Sequence, residues 1–431
     1  MVQYDSYKTS GASWLGDIPS GWDVRPLKHI FAIQKRIAGQ QGYAVLSITQ
    51  SGIKPKDMSS QGQFAEDYSN YQLVYPGDFA MNHMDLLTGW VDISKYEGVT
   101  SPDYRVFTNK NTADYLSDYY KYILQYCYSN KVFYGLGQGV AGFGRWRLPA
   151  EMFLNFKLPV PTKTEQSVII RFLNDKVSHI DSIIAEARAS IEEYKAWKAS
   201  IIYEAVTKGL DPNVEMKESG IPWVGNIPKE WCVGQLGKYV SVFNGDRSSN
   251  YPTPEEITAD GVPFFTSYDL NSDEVEIGEN RKYISQEKYD SLSGYKAQIG
   301  DIIFCLRGSI GKCAINLKYS CGTVASSLMG IRCSTIYSKF AFYLLVSKVI
   351  GTQNDLLMNG TCAANLSAKN VCSYRIIVPP IKEQRDICAY LDQKATEIDG
   401  LICEKKLLID ELESYRKSLI FEVVTGKRKV C

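Results

Sequence analysis

The sequence predicts an α+β fold written twice: two similar domains of mixed helix and strand, each followed by a long helix of coiled-coil character. Two internal repeats and one periodicity predict it. Ser10-Gly11, Trp14, Gly16, Ile18-Pro19, Trp22 and Val24 return as Ser219-Gly220, Trp223, Gly225, Ile227-Pro228, Trp231 and Val233, each 209 positions later. Glu165-Gln166, Leu173, Ile180-Asp181, Ile184, Glu193 and Thr207 return as Glu383-Gln384, Leu391, Ile398-Asp399, Ile402, Glu411 and Thr425, each 218 positions later. The helical stretches carry apolar residues in steps of four and three. That is the heptad signature.

The opening segment, residues 1–22, is rich in Trp, Gly and Pro at non-helical spacing, and reads as a loop pinned by two tryptophans. From about 23 to 160, short β-like runs such as 43–48 and 71–74 are punctuated by the turn signal Pro76-Gly77-Asp78. A helical run, 113–128, interrupts them. The stretch from about 232 to 378 repeats this plan: Gly300-Asp301 precedes Ile302-Ile303-Phe304 as Gly77-Asp78 precedes Phe79-Ala80, and a helical run covers 339–350. Most other residues differ, so the two domains share a scaffold and not a surface. The expected division is 1–160, 161–209, 210–378 and 379–431.

In the first long helix the apolar seam is Leu173, Val177, Ile180, Ile184, Ala187, Ile191, Tyr194, Ile201 and Ala205, broken at Lys198. In the second it is Leu391, Ala395, Ile398, Ile402, Ile409, Leu412, Leu419 and Val423, broken at Lys405 and Arg416. Equal register in both copies predicts mutual packing through Leu173, Ile180, Ile184, Ile191, Leu391, Ile398, Ile402 and Ile409. The alternative is two amphipathic helices packed separately on their own domains. Lys198 and Arg416 are equivalent, each beside an aromatic (Trp197, Tyr415), and mark a shift of the seam or stems lying over rings. One helix from Glu165 to Val206 spans roughly 60 Å at about 1.5 Å per residue.

Composition excludes several classes. The 431 residues, 45% hydrophobic and 22% charged, suit a globular protein of two domains. No run approaches the roughly 18–20 apolar residues of a membrane helix, and the first ten residues lack a signal-peptide core, so a cytoplasmic protein is expected. Ten of the eleven cysteines lie between Cys232 and Cys431, and no CxxC occurs. They read as reduced thiols packed as small hydrophobes. His29, His83 and His179 form no ligand pair, and no metal is expected. The formal net charge of zero predicts that the chain alone binds duplex DNA weakly, or that a partner supplies much of the phosphate contact, because backbone binding is largely electrostatic. No Walker A sequence, no Asn/Asp-Pro-Pro-Tyr/Phe tetrapeptide and no GxSxG elbow is found. Pro102-Asp103 lacks the Glu-x-Lys that would complete a nuclease motif, and reads as a turn.

These features together resemble the specificity subunit of a type I restriction–modification system. The resemblance rests on SGASWLGDIPSGW paired with SGIPWVGNIPKEW, and on the paired helix starts Pro161…Glu165-Gln166 and Pro380…Glu383-Gln384. It rests also on Asn244-Gly245-Asp246-Arg247, Gly300-Asp301-Ile302-Ile303, the stretch 306–311 and Asn359-Gly360-Thr361. It covers essentially the whole chain. It implies two pseudo-symmetric α/β target-recognition domains separated by two long antiparallel coiled-coil helices, each domain reading half of a split DNA site. It implies a chain without catalysis or cofactor of its own. Two methyltransferase subunits would bring S-adenosylmethionine, and two restriction/translocase subunits would bring ATP and Mg chemistry. Closure of the duplicated chain into a pseudo-circle predicts Trp14 and Trp22 near the far end of the second helix.

Base readout requires Arg, Lys, Asn, Gln, Ser or Thr on loops facing a groove. In the first domain we choose Thr49, Gln50, Lys54, Asn82, His83, Arg145 and Arg147. In the second we choose Arg247, Ser248, Ser249, Arg307, Lys312 and Thr361. The Gly-rich run 135–144 reads either as a phosphate approach or as a flexible turn. Two further readings stay open: an assembly scaffold that binds protein, and a subunit of a methylation-only or combined restriction–modification system. A self-sufficient nuclease or methyltransferase would require a motif that is absent.

Overall fold

The computed structural model describes residues 3–57, 67–139, 146–247, 250–278, 281–358 and 365–430. The chain divides into two compact units, Met1–Arg188 with Lys406–Cys431, and Ala189–Lys405. The division falls inside both long helices, Lys163–Lys208 and Ile381–Val424, so each unit holds one domain and part of each helix.

In the first unit a four-stranded antiparallel sheet has the order Phe31–Gln34, Arg105–Asn109, Phe79–Met81, Val91–Ile93. Phe31, Phe79 and Phe107 bury one face of it, with ring centroids 5.0–5.3 Å apart. The helix Ser117–Ser129 adds Tyr120 to that cluster. In the second unit the order is the same: Val240–Asn244, Leu328–Cys333, Ile302–Cys305, Cys313–Ile315. Here Ile302, Phe304, Met329 and Ile331 pack with the helix Ser338–Val346.

The aspartate of each Gly-Asp pair ties the turn before the third strand. Asp78 accepts from the Tyr75 backbone N–H at 2.9 Å and pairs with Arg36. Asp301 accepts from the Gln298 N–H at 2.9 Å and pairs with Arg332 at 2.7 Å. Both carboxylates are buried. This accounts for Asp in both copies: it satisfies a turn amide and neutralises a guanidinium at once.

The Glu-Gln repeat has an equally concrete role. In the first unit the indole of Trp22 donates to Glu165 Oε1 at 3.0 Å. Gln166, fully buried, accepts from the Leu116 N–H at 2.8 Å and donates to the carbonyls of Asp114 and Pro161 at 3.0 Å. In the second, Trp231 donates to Glu383 Oε2 at 2.8 Å, and Gln384 accepts from the Tyr337 N–H and donates to Pro379, both at 2.8 Å. Each glutamine thus joins a domain helix to a long helix. Trp22 also lies beside the end of the second helix. A Cβ on Gly426, whose φ is +73°, would fall 2.3 Å from the Pro19 ring and 3.2 Å from Trp22. Lys427 donates to Leu15 O at 2.8 Å. Trp14 stacks on Phe156 and donates to Lys157 O instead.

The helices run antiparallel within the first unit: Asp181 pairs with Arg416 at 3.0 Å and Arg188 with Glu413 at 2.9 Å. Leu173, Ile180 and Ile184 are buried there with Ile409, as are Ile191, Leu391, Ile398 and Ile402 in the second unit. Of the three interruptions, the equivalent pair Lys198 and Arg416 forms cross-helix ion pairs. Lys198 meets Asp399 at 2.9 Å and Asp273 at 3.1 Å. It is therefore the counterpart, with helices exchanged, of Arg416 on Asp181. Burial opposes the Lys198 charge, but hydrogen bonds to Asp399 and Asp273 outweigh it and raise its pKa. A charge on a heptad seam sets register more than stability.

Candidate nucleic-acid interface

Residues chosen from sequence fall on several faces of the first unit. Thr49 ends the first strand of a hairpin, Leu46–Thr49 with Gly52–Pro55, and its hydroxyl lies 2.9 Å from the Ser51 hydroxyl and 3.2 Å from Gly52 O. Gln50, at the exposed tip, lines a cleft of about 570 Å3 with Trp90, Lys131, Arg188, Arg416 and Lys417. Arg188 and Arg416 are neutralised there by Glu413 and Asp181. Lys54 lines a separate depression of about 300 Å3 with Asp92, Lys95 and Lys121. Asn82 turns its Oδ1 to the Met84 N–H at 3.2 Å, a turn role.

His83 and Arg147 meet in a third groove, of about 520 Å3, which also holds Lys35 and Arg105. The Leu148 peptide builds it. Its N–H donates to His83 O at 2.9 Å and its carbonyl accepts from Arg105 Nη2 at 3.0 Å. Burial, then the charges of Arg105 and Arg147, pushes His83 down to about 4, so the imidazole is neutral at pH 7. Arg105 and Lys35 were not among the sequence choices. The one available signal was an arginine directly before the apolar pair Val106-Phe107 in the strand Arg105–Asn109.

In the second unit Arg307 and Lys312 sit in the connection between the third and fourth strands, as Asn82 and His83 do in the first. Arg307 is exposed, while Lys312 is held from inside, donating to Ser267 O at 2.8 Å and Asn271 Oδ1 at 2.7 Å. Asp246 accepts from the Gly294 N–H at 2.8 Å and from Ser293 at 3.2 Å, which leaves the adjacent Arg247 exposed on its loop. Arg145, Ser248, Ser249 and Thr361 lie outside the described residues, as does much of the run 135–144. Among the described residues, no group of His, Cys, Asp and Glu is placed to hold a metal, and no helix is long and apolar enough to cross a membrane. Cys127, Cys305, Cys313 and Cys388 are buried free thiols; Cys232, Cys321 and Cys403 are exposed.

The type I restriction modification DNA specificity domain matches residues 19–193 and again 228–406. The chain belongs to the type I restriction–modification specificity family. A relative from Methanocaldococcus jannaschii, assigned as the type I restriction enzyme MjaX specificity subunit, is 25% identical over all of this chain and 99% of its own length. The MjaVIII specificity subunit of the same organism is 25% identical over 67% of this chain and 66% of its own. The EcoBI specificity subunit of Escherichia coli is 22% identical over 63% and 58%. Among solved structures, a chain described in the complex assembly and conformational transition of the type I R-M system matches with a TM-score of 0.68. It is 14% identical, and the match covers 94% of this specificity subunit and 98% of that chain. At that identity the likeness is one of fold. The specificity subunit's duplication thus extends through sequence, strand order and the hydrogen bonds of its helix starts.

Proposed function

We propose that each domain of this specificity subunit reads one half of a split duplex site, that the antiparallel helices set the unread spacer, and that catalysis belongs to partners. The observation that carries this reading is the contrast between constant and variable parts. Strand order, Gly-Asp turns and Glu-Gln anchors are duplicated, whereas the connections that follow the third strand, 82–90 and 306–312, differ in length and sequence. A duplicated frame with unlike loops suits two different half-sites on one duplex.

The same contrast supports two copies of one partner. On the exposed face of the first helix stand Glu193, Trp197, Ser200 and Glu204. On that of the second stand Glu411, Tyr415 and Ser418, with the half-buried Glu422 in the remaining place, each 218 positions on. Trp197 and Tyr415 are 49% and 51% exposed. Packing within the chain does not require aromatics there, and exposed aromatics are the residue type that anchors interfaces. The occupants we assign are two methyltransferase subunits, which would carry S-adenosylmethionine. Two restriction/translocase subunits, with ATP and Mg, complete the nuclease form of the complex. A cytoplasmic location follows from that role.

The test is a genome-wide map of methylated adenines in cells carrying the wild type or Arg247→Ala. A split motif is expected, relaxed in the variant at one half only. A continuous motif, or equal relaxation of both halves, would overturn the two-domain reading. Methyl transfer from labelled S-adenosylmethionine by the purified chain alone would overturn the division of labour.

A further inference from the structure

Arg105 is an anomaly in the first domain. It is only 5% exposed, yet among the described residues no carboxylate pairs with it. Nη2 donates to Leu148 O, the guanidinium lies 4.7 Å from the Phe153 ring centroid, and Nη1 is buried without a partner. Holding a guanidinium out of water without a counter-ion is unfavourable, and buried Arg is ordinarily paired. Burial shows in its pKa, which falls to about 10, so the charge is still present at pH 7.

The surroundings reinforce the anomaly. Arg105 lines the 520 Å3 groove together with Lys35 and Arg147, both exposed and without an ion pair among the described residues. Asp103 at the rim is the one carboxylate of the lining, and His83 is neutral. The groove therefore carries three cations against one anion, in a chain whose formal net charge is zero.

We propose that this groove seats a backbone phosphate of duplex DNA, with Arg105 as a fixed charge at its floor and Arg147 and Lys35 as exposed donors at its rim. A phosphate supplies the negative charge that Arg105 lacks, and its several oxygens accept from donors arriving from different directions. A base edge would require a donor fork free to reach out, and the Arg105 guanidinium is held in place by Leu148 and Phe153. The inference rests on the DNA-recognition reading above. It changes the part played in it by His83 and Arg147: they position the duplex and do not read it.

The experiment measures affinity of the full chain for labelled duplexes of two unrelated sequences across a salt series. It compares the wild type with Arg147→Ala, Lys35→Ala and the double variant, all at exposed positions where folding is undisturbed. If one phosphate is held, the slope of log affinity against log salt falls by about 0.9 in Arg147→Ala. It falls equally on both sequences and no further in the double variant. An unchanged slope overturns the assignment, and so does a loss confined to one sequence, which would return Arg147 to base reading. A parallel arm adds inorganic phosphate at constant ionic strength and follows thermal stability. A stabilisation that depends on Arg147, with the duplex slope unchanged, would make the groove a free-anion site and likewise overturn the DNA assignment. A wild type that binds no duplex at any salt, either alone or with the methyltransferase subunits added, would instead sink the recognition reading itself.

Discussion

His83 shows how one residue's environment decides its chemistry. A histidine on a loop after a strand reads from sequence as a polar candidate for DNA. In the fold it is half-buried in a groove it shares with two arginines, and burial followed by the charges of Arg105 and Arg147 lowers its pKa from 6.5 to about 4. The unfolded chain then binds the proton more readily than the native one between those values. Stability contributed by the neutral ring is full above pH 6.5, falls as pH drops, and is lost below about 4. The loss is at most about 3.5 kcal/mol, at about 1.4 kcal/mol per unit. His83→Gln is expected to flatten that limb in melting temperature against pH from 7 to about 4. Parallel curves for variant and wild type would show that the ring is not held neutral. Arg105, by contrast, escaped notice because a strand-opening arginine looks like any edge residue. Its lack of a carboxylate is a property of neighbours drawn from residues 148 and 153, far along the chain.

At the scale of elements, the Glu-Gln pair at each helix start joins parts that the sequence keeps far apart. Gln166 and Gln384 each satisfy buried backbone groups from two segments. Leaving such groups unpaired costs about 1–3 kcal/mol apiece. Gln166→Ala and Gln384→Ala are each expected to lose about 2–4 kcal/mol in denaturant unfolding. A loss below about 1 kcal/mol would mean that water replaces the side chain. The heptad interruptions teach a related lesson. From sequence, Lys198 and Arg416 were breaks in an apolar seam. The fold turns them into equivalent cross-helix pairs with Asp399 and Asp181, themselves a repeated position. The periodicity was legible because burial of one helix face follows directly from side-chain spacing. The partner of a seam charge was not, because it lies on the other helix.

For the whole molecule, the duplicated exposed strips around Trp197 and Tyr415 make a quantitative statement about assembly. Two equivalent anchors on one chain predict two copies of one partner. Trp197→Ala and Tyr415→Ala, each co-expressed with the methyltransferase subunit, should each yield a complex with one copy by native mass spectrometry, and the double variant none. Two copies retained in both single variants would remove the aromatics from the interface. Truncating a central aromatic anchor typically costs about 2 kcal/mol or more, roughly a thirtyfold loss of affinity, enough to read at limiting partner.

The sequence by itself determined the duplication, the α+β class, the heptad seams and the family. Each is carried by residues repeated at fixed spacing, and a repeat is visible without knowing what touches what. Tertiary structure alone decided the rest. It moved Thr49, Asn82 and Lys312 into internal hydrogen bonds and brought His83 and Arg147 into one groove. It also uncovered Arg105 beneath them. The physical reason is that a side chain's charge state and free donors depend on which distant groups the fold places within a few ångströms.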